Sequence, residues 1–396
     1  MRIALLTLVF IVSVGLTKSN GMIKKPLVIL ISVDGFKWGY QFKTSTPNID
    51  FIKENGVEAF PGMIPVFPTV TMPNHNSIAT DPSFPRFNVS WADPRWWHGE
   101  PLWETVVRNG LRAGTYLWPG SEVVRGHWTC PQEYCARLAN SSLAFEDRID
   151  SILKFVDMPV SKRPSFIAVY FDNPDHAGHA SGPDSQELTD AVSNIDKMVG
   201  RLLDGLEARG ILNDVHIIMV SDHGMVTSCE SKVIYLEDLA PWIRIPDEWY
   251  DWVGAVVALR PPRGFDAKHI VKKMNEGLQS GRVNNGQFLK VFLKEDLPER
   301  LHFSHGKFGQ PIIGLASESY TVKLGRSTNS SCGGFHGYDN AYSSMRSVFF
   351  AHGPRFPKRK VASFPNVEIY NIITTIIGIR GAPNNGTLSF ARDILI

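Results

Sequence analysis

Short apolar runs punctuate the chain at 27–33 (LVILISV), 166–171 (FIAVYF), 216–220 (HIIMV) and 347–351 (SVFFA), each bounded by polar or glycine-rich residues. Runs of this length, separated by helix-period patterns, predict strands of a parallel sheet buried on both faces. The clearest helical pattern follows Pro183: Leu188, Val192, Ile195, Val199, Leu202, Leu203 and Leu206 share one face, and Gly210 ends it. Strands alternating with helices predict a doubly wound α/β sheet. Residues from about 246 to 330 break this rhythm with prolines, the basic amphipathic stretch DAKHIVKKMNEGL and the run FLKEDLPERLHF. They are expected to form an inserted cap on a domain spanning 26–396.

In such sheets, ligands gather beyond the carboxyl ends of the strands. Asp34-Gly35 follows the first run, DNPDHAGH with Asp175 and His179 follows the second, and Asp222-His223 follows the third. The later loop CGGFHGYD offers His336. An Asp-Gly pair after a strand is by itself a turn, and Asp175 with His179 could be a capping or surface pair. Adjacent Asp222 and His223 at a buried strand end are harder to place without a partner, because burying ionisable groups is costly. Together the carboxylates and imidazoles suit zinc or a similar divalent metal, and six ligands suit two ions better than one. His98, His127, His176, His216, His269 and His352 lack such company and are expected to be surface or packing residues.

The stretch VFPTVTMPNHNSIAT places two hydroxyls, Thr69 and Thr71, before a helix-like segment. A threonine hydroxyl becomes a nucleophile only when a metal or base activates it. At a helix N-terminus it would also have free N–H groups facing an anionic phosphate, which favours Thr71. Both threonines could equally be turn and N-cap residues.

Composition narrows the setting. The 396 residues carry 41 basic and 39 acidic side chains for a net +2, which suggests no nucleic-acid or polybasic membrane surface. The apolar run from Ile3 to Leu16 suits a signal peptide at 1–17, cleaved after Gly15 or Thr17, with an uncleaved N-terminal anchor as the alternative. Asn88, Asn140, Asn329 and Asn385 open N-x-S/T sequons. Cys130, Cys135, Cys229 and Cys332 form an even set fit for two disulfides in an oxidising compartment. Sequence does not determine their pairing; Cys130–Cys135 with Cys229–Cys332 is the pairing we expect. No later apolar stretch is long enough to anchor the chain, so a secreted glycoprotein without a membrane span is expected.

The ordered motifs ILISVDGF, FPTVTMPNH, RWWHGEPLWET, LWPGSE, NPDHAGHASGP, VSDHGM, LKEDLPERLHF, GFHGYDN and VEIYN…GAPNNGT resemble the ectonucleotide pyrophosphatase/phosphodiesterases of the alkaline phosphatase superfamily. The resemblance runs from about Leu27 to Thr387. It implies a mixed, mostly parallel sheet flanked by helices, with two zinc ions. Asp34, Thr71, Asp222 and His223 would hold one zinc, and Asp175, His179 and His336 the other. Thr71 would be the nucleophile, forming a phosphothreonine intermediate on a phosphodiester or pyrophosphate. Tyr170 and Met72 would lie against a nucleobase; Met72 stands where relatives often have Phe.

One departure bears on activity. Family members continue from a segment like SIAT through a G-L-Y-P-E-S-H-G type segment to an Asn that hydrogen-bonds the substrate phosphate; here Thr80 is followed at once by Asp81. Losing one such donor costs roughly 2.7–4 kcal/mol in other enzymes. The leading expectation is a zinc-dependent phosphodiesterase acting on extracellular nucleotides. The alternatives are a catalytically impaired binding glycoprotein, or a phospholipid or choline phosphodiesterase. A sulfatase would want a Cys or Ser nucleophile, and a monoesterase would want cationic groups that TVTMPNHNS does not supply.

Overall fold

The computed structural model describes residues 26–80, 99–137, 143–304, 309–326 and 332–396. The expected leader, the junction beyond Thr80, and Asn88, Asn140 and Asn329 lie outside the described residues. Asn385 is exposed.

In chain order the strands begin with β1 (Leu27–Val33), β2 (Gly56–Phe60), β3 (Ala113–Tyr116), β4 (Cys135–Ala136), β5 (Phe166–Phe171), β6 (Val215–Val220), β7 (Val226–Ser228) and β8 (Val233–Tyr235). There follow β9 (Tyr250–Trp252), β10 (Val256–Leu259), β11 (Leu289–Leu293), β12 (Ile312–Ala316), β13 (Thr321–Lys323), β14 (Gly333–Phe335), β15 (Phe349–His352) and β16 (Arg359–Ala362). The helices are α1 (Pro47–Glu54), α2 (Thr71–Thr80), α3 (Leu102–Arg108), α4 (Phe145–Asp157), α5 (Asp175–Ser181), α6 (Gln186–Ala208), α7 (Ala267–Leu278), α8 (Glu368–Ile377) and α9 (Leu388–Ile394).

An eight-stranded sheet in the order β16-β2-β15-β6-β1-β5-β3-β4 forms the frame, mixed and mostly parallel as expected. β1 is central because both its faces are apolar. Leu27, Ile29, Ile31 and Val33 pack toward α1, α4 and α6, while Val28 and Leu30 pack toward α2, α3 and α8. The pattern after Pro183 becomes α6, capped by Ser185 accepting the Leu188 N–H at 3.1 Å and closed by Gly210 at φ +65°.

β15 departs from the expectation of a parallel strand, since it runs antiparallel to both β6 and β2. An apolar run reports burial, whereas direction is set by where the connection begins and ends. The chain leaves β6 at the carboxyl edge, builds β7 to β14, and re-enters the sheet from that same edge, so the return strand must point the other way. Within this excursion, β11-β12-β10-β9 form an antiparallel sheet. The stretch DAKHIVKKMNEGL becomes α7, burying Ile270, Met274 and Leu278. Disulfides join Cys130 to Cys135 and Cys229 to Cys332, as expected from the sequence.

His216 lies within β6 rather than at the surface, 4 % exposed, and burial pushes its imidazole down from 6.5 to about 4. A base depressed on folding is left neutral while the unfolded chain takes up a proton, so stability falls as pH drops from 6.5 toward 4. The difference amounts to about 2 kcal/mol by pH 5. Urea midpoints at pH 7 and pH 5 should therefore differ less in His216→Asn than in the unaltered chain.

Candidate active site

The carboxyl ends of β1, β5 and β6 deliver Asp34, Asp175 and Asp222 to one place. Asp34 directly follows β1, its N–H donates to Phe171 O at 2.8 Å, and its own carbonyl accepts the Asp175 N–H at 3.0 Å. Gly35 has φ +67°, and a Cβ there would come within 2.8 Å of the Asp175 Cβ, so the Asp-Gly pair permits close approach of two strand ends. Asp175 and His179 open α5 one turn apart, which puts them on one face. Asp222 accepts the Gly35 N–H at 3.0 Å and sits 3.1 Å from His223 Nε2.

Each of the three expected imidazoles is pinned through Nδ1 to a backbone carbonyl at 2.9 Å: His223 to Gly224 O, His179 to Gly334 O, and His336 to Thr69 O. A carbonyl only accepts, so Nδ1 carries the proton and Nε2 presents a lone pair. Those Nε2 atoms converge. His336 and His179 meet Nε2 to Nε2 at 3.0 Å, and both face Asp175 Oδ1, at 3.6 and 3.4 Å. His223 stacks on His336 with ring centres 3.6 Å apart and lies 3.4 Å from Asp34 Oδ1. Two facing lone pairs repel unless a cation or proton lies between them.

The carboxylates show the same deficit of positive charge. Asp34 Oδ1, Asp175 Oδ1 and Asp222 Oδ2 are buried without hydrogen-bond partners. Burial, then the charges of Asp222 and Asp175, hold the Asp34 carboxyl well above its usual range. Burial also raises Asp175, against the pull of His223 and His179. Burial would raise Asp222 as well, but His223 and His75 more than offset it and hold it low. Burial opposes the proton on His223, yet Asp222 and Asp175 raise it, while burial and the neighbouring imidazoles depress His336. Orphaned carboxylate oxygens and converging imidazole nitrogens are a donor set that could hold a divalent metal. The compact groups are Asp175, His179 and His336; Asp34, Asp175 and His223; and Asp34, His75 and Asp222, each within 4.8 Å.

His75 escaped the sequence reading, although its spacing of four from Thr71 could have flagged it. It contacts Thr71 O through Nδ1 at 2.9 Å and Ser32 Oγ through Nε2 at 2.8 Å. Both nitrogens are thus engaged, so His75 holds the start of α2 against β1 rather than offering a lone pair to a metal. Tyr170 also differs from expectation. Its ring is 7 % exposed and edge-on to His75, and its hydroxyl donates to Asp34 Oδ2 at 2.5 Å. It supports a carboxylate and presents no open face to a base. Met72 is half-exposed at the start of α2.

The two threonines separate cleanly. Thr69 is fully buried; its hydroxyl donates to Tyr338 O at 2.9 Å and accepts the Gly337 N–H at 3.1 Å. Thr71 is only partly buried, begins α2, and holds Oγ1 3.2 Å from His223 Nε2. Pro73 falls within the first turn, where a missing N–H costs no helical hydrogen bond.

The family model of type I phosphodiesterase/nucleotide pyrophosphatase matches residues 28–339. Venom phosphodiesterase of Macrovipera lebetinus is 34 % identical over 405 residues, covering 95 % of this chain and 46 % of that protein. Ectonucleotide pyrophosphatase/phosphodiesterase family member 3 of Bos taurus is 35 % identical over 399 residues, covering 93 % and 44 %. The chain thus spans less than half the length of these relatives. The solved structure of human ectonucleotide pyrophosphatase/phosphodiesterase 5 has a TM-score of 0.82 at 28 % identity, covering 93 % of this chain and 99 % of that one. A murine counterpart, inactive and in complex with AMP, has a TM-score of 0.81 at 28 % identity, covering 94 % and 100 %.

The crowding predicts opposite effects of one substitution. In chelator-treated protein, Asp34→Asn removes a carboxyl that must stay protonated to be buried beside Asp175 and Asp222, and should raise the melting temperature by roughly 2–4 °C. With zinc added, the same variant should show a smaller metal-induced rise than the unaltered chain. Thermal melts with and without metal check both signs.

Proposed function

Because this chain belongs to the type I phosphodiesterase/nucleotide pyrophosphatase family, we propose that it hydrolyses phosphodiester or pyrophosphate bonds of extracellular nucleotides with Thr71 as nucleophile. The observation that carries the reading is the pairing of a partly buried threonine with the cluster: Thr71 Oγ1 stands 3.2 Å from His223 Nε2 at the N-terminus of a ten-residue helix. Asp34, Asp222 and His223 with Thr71, and Asp175, His179 and His336, are the proposed ligand sets of two zinc ions. Bound divalent metal would neutralise the carboxylates and lower the pKa of a coordinated hydroxyl.

The remaining chemistry belongs to the chain's own groups. α2 presents Thr71 with the first-turn N–H groups toward the phosphate. Thr71 Oγ1 bonds to phosphorus, the P–O bond to the leaving group breaks, and water later hydrolyses the ester left on Thr71. His75 and Tyr170 hold the Thr71 backbone and the Asp34 carboxylate still, which keeps the hydroxyl and its neighbours in register. Secretion, glycosylation at Asn88, Asn140, Asn329 and Asn385, and a cap spanning about 246–330 of the domain 26–396 belong to the same proposal. The disulfides are consistent with an oxidising compartment. Among the described residues no helix is long and apolar enough to cross a membrane.

A second reading, an impaired member that binds without turnover, is favoured by one observation. Asn76 Nδ2 and Ser77 Oγ, on α2 just ahead of the junction after Thr80, are buried without partners. Polar groups left unmet where the chain departs from its family's pattern are expected if that segment normally completes the site.

Turnover of a chromogenic nucleotide phosphodiester by the zinc-loaded chain separates the readings. Thr71→Ala should lower the rate by ~10³-fold or more while the remaining carboxylates and imidazoles still bind metal, more weakly at the Thr71 site. Thr69→Ser, which keeps the buried hydroxyl, should retain most of it. Bound zinc with no turnover in the unaltered chain would establish the second reading instead.

A further inference from the structure

The excursion from the main sheet reaches the candidate site through more than its histidine. Between β11 and β12, segment 298–303 carries the run PERLHF. Arg300 Nη1 and Nη2 donate to Asp339 Oδ1 and Oδ2 at 2.6 and 2.5 Å, a two-pronged pair three residues after His336. Asp339 Oδ1 also accepts the Ala341 N–H at 2.9 Å, so the same carboxylate closes the turn that follows His336. Three positions beyond Arg300, Phe303 is buried and packs edge-on against Phe67, with ring centres 5.6 Å apart. Phe67 lies two residues before Thr69 and four before Thr71. Leu297, Leu301 and Phe303 share one apolar cluster with Phe67, Val256, Ala258 and Ile313, which seats the segment on β10 and β12. One short stretch thus grips both the loop that carries His336 and the loop that leads into α2. His302, between the two grips, has φ +52°, a left-handed conformation that is costly for a residue other than glycine. Such a conformation persists where contacts on both sides over-determine it.

The two gripped loops are also stitched to each other. Asn340 Nδ2 donates to Pro65 O at 3.0 Å, beside the bonds that Thr69 makes with His336, Gly337 and Tyr338. A displacement of Asp339 would therefore be felt at His336 and at the approach to Thr71 together. Exposed ion pairs usually fix little, because long side chains keep their freedom. This pair differs in two respects: its guanidinium fork meets both carboxylate oxygens, and the Asp339 side chain is only 18 % exposed. Asp339 is outside the donor groups of the cluster, so its influence on a metal must pass through the loop.

We propose that Arg300 is a positioning residue for the candidate metal centre: by clamping Asp339 it holds the loop that aims His336 Nε2 at Asp175 and His179. Phe303 ties that aim to the approach to Thr71. The proposal rests on the reading of Asp175, His179 and His336 as a metal-binding group. It concerns metal affinity rather than turnover, so it can fail while the catalytic reading stands.

Zinc titration of the whole chain against a chromogenic chelator tests it, with His336→Ala marking which equivalent of metal depends on that imidazole. Arg300→Ala and Asp339→Asn should each weaken that equivalent by roughly tenfold and leave the other nearly unchanged. The two changes combined should have no larger effect than either alone, because they break one interaction. Arg300→Lys, which keeps the charge but loses the fork, should weaken the same equivalent by a smaller factor. Metal-free melting temperatures of these variants should stay within about 2 °C of the unaltered chain. Affinity unchanged in the Arg300 and Asp339 variants, with His336→Ala still weakened, overturns the proposal alone. Affinity unchanged in His336→Ala as well overturns the metal reading beneath it. Equal weakening of both equivalents, or a lower metal-free melting temperature with zinc affinity intact, assigns the pair to fold stability and also overturns the proposal.

Discussion

Three carboxylates share one buried space, and the rest of the structure is arranged around that cost. Asp34, Asp175 and Asp222 come from three neighbouring parallel strands, and each keeps one oxygen without a hydrogen-bond partner. In a low-dielectric interior such a group of like charges is tolerated only with a compensating cation. In the metal-free cluster, protons fill that role: Asp34 and Asp175 hold theirs to higher pH, and His223 is driven to take one up. The same imbalance that weakens the metal-free cluster would favour a divalent ion placed there.

The imidazoles tie the excursion from the main sheet to this centre. His336 follows β14 and is anchored on Thr69 O, just before α2, while His179 on α5 is anchored on Gly334 O within β14. The rings therefore point correctly only when β14, α5 and the approach to α2 are all in place. Here the fold orients the imidazoles by backbone carbonyls rather than by other side chains. The antiparallel return through β15 belongs to the same logic, since the excursion begins and ends at the edge where His336 meets the carboxylates.

Much of this was legible in the chain because strand ends are marked by composition. Apolar runs followed by Asp-Gly, Asp-x-x-x-His and Asp-His put carboxylates and imidazoles where parallel sheets collect them, and α6 declared both its face and its end. The direction of β15 was not legible, because residues buried on both faces look alike in either orientation. His75 was hidden because its role depends on which carbonyl and hydroxyl surround it, which no local pattern reveals. Tyr170 was placed against a base by the family resemblance, which carries residue type but not its burial against Asp34 and His75.

Thr69 and Thr71 show how far residue type falls short of role. They are the same side chain, two residues apart, on either side of a helix start. Thr69 spends its donor on Tyr338 O and its acceptor on the Gly337 N–H, so its oxygen is closed to chemistry. That closure is useful in itself, because it fixes the loop carrying His336, whose Nδ1 is held by Thr69 O. Thr71 keeps its hydroxyl toward His223 because its carbonyl, not its side chain, is what His75 holds. One threonine is bound so that the other can be free, and this division of hydrogen bonds turns a repeated residue into a scaffold and a candidate nucleophile.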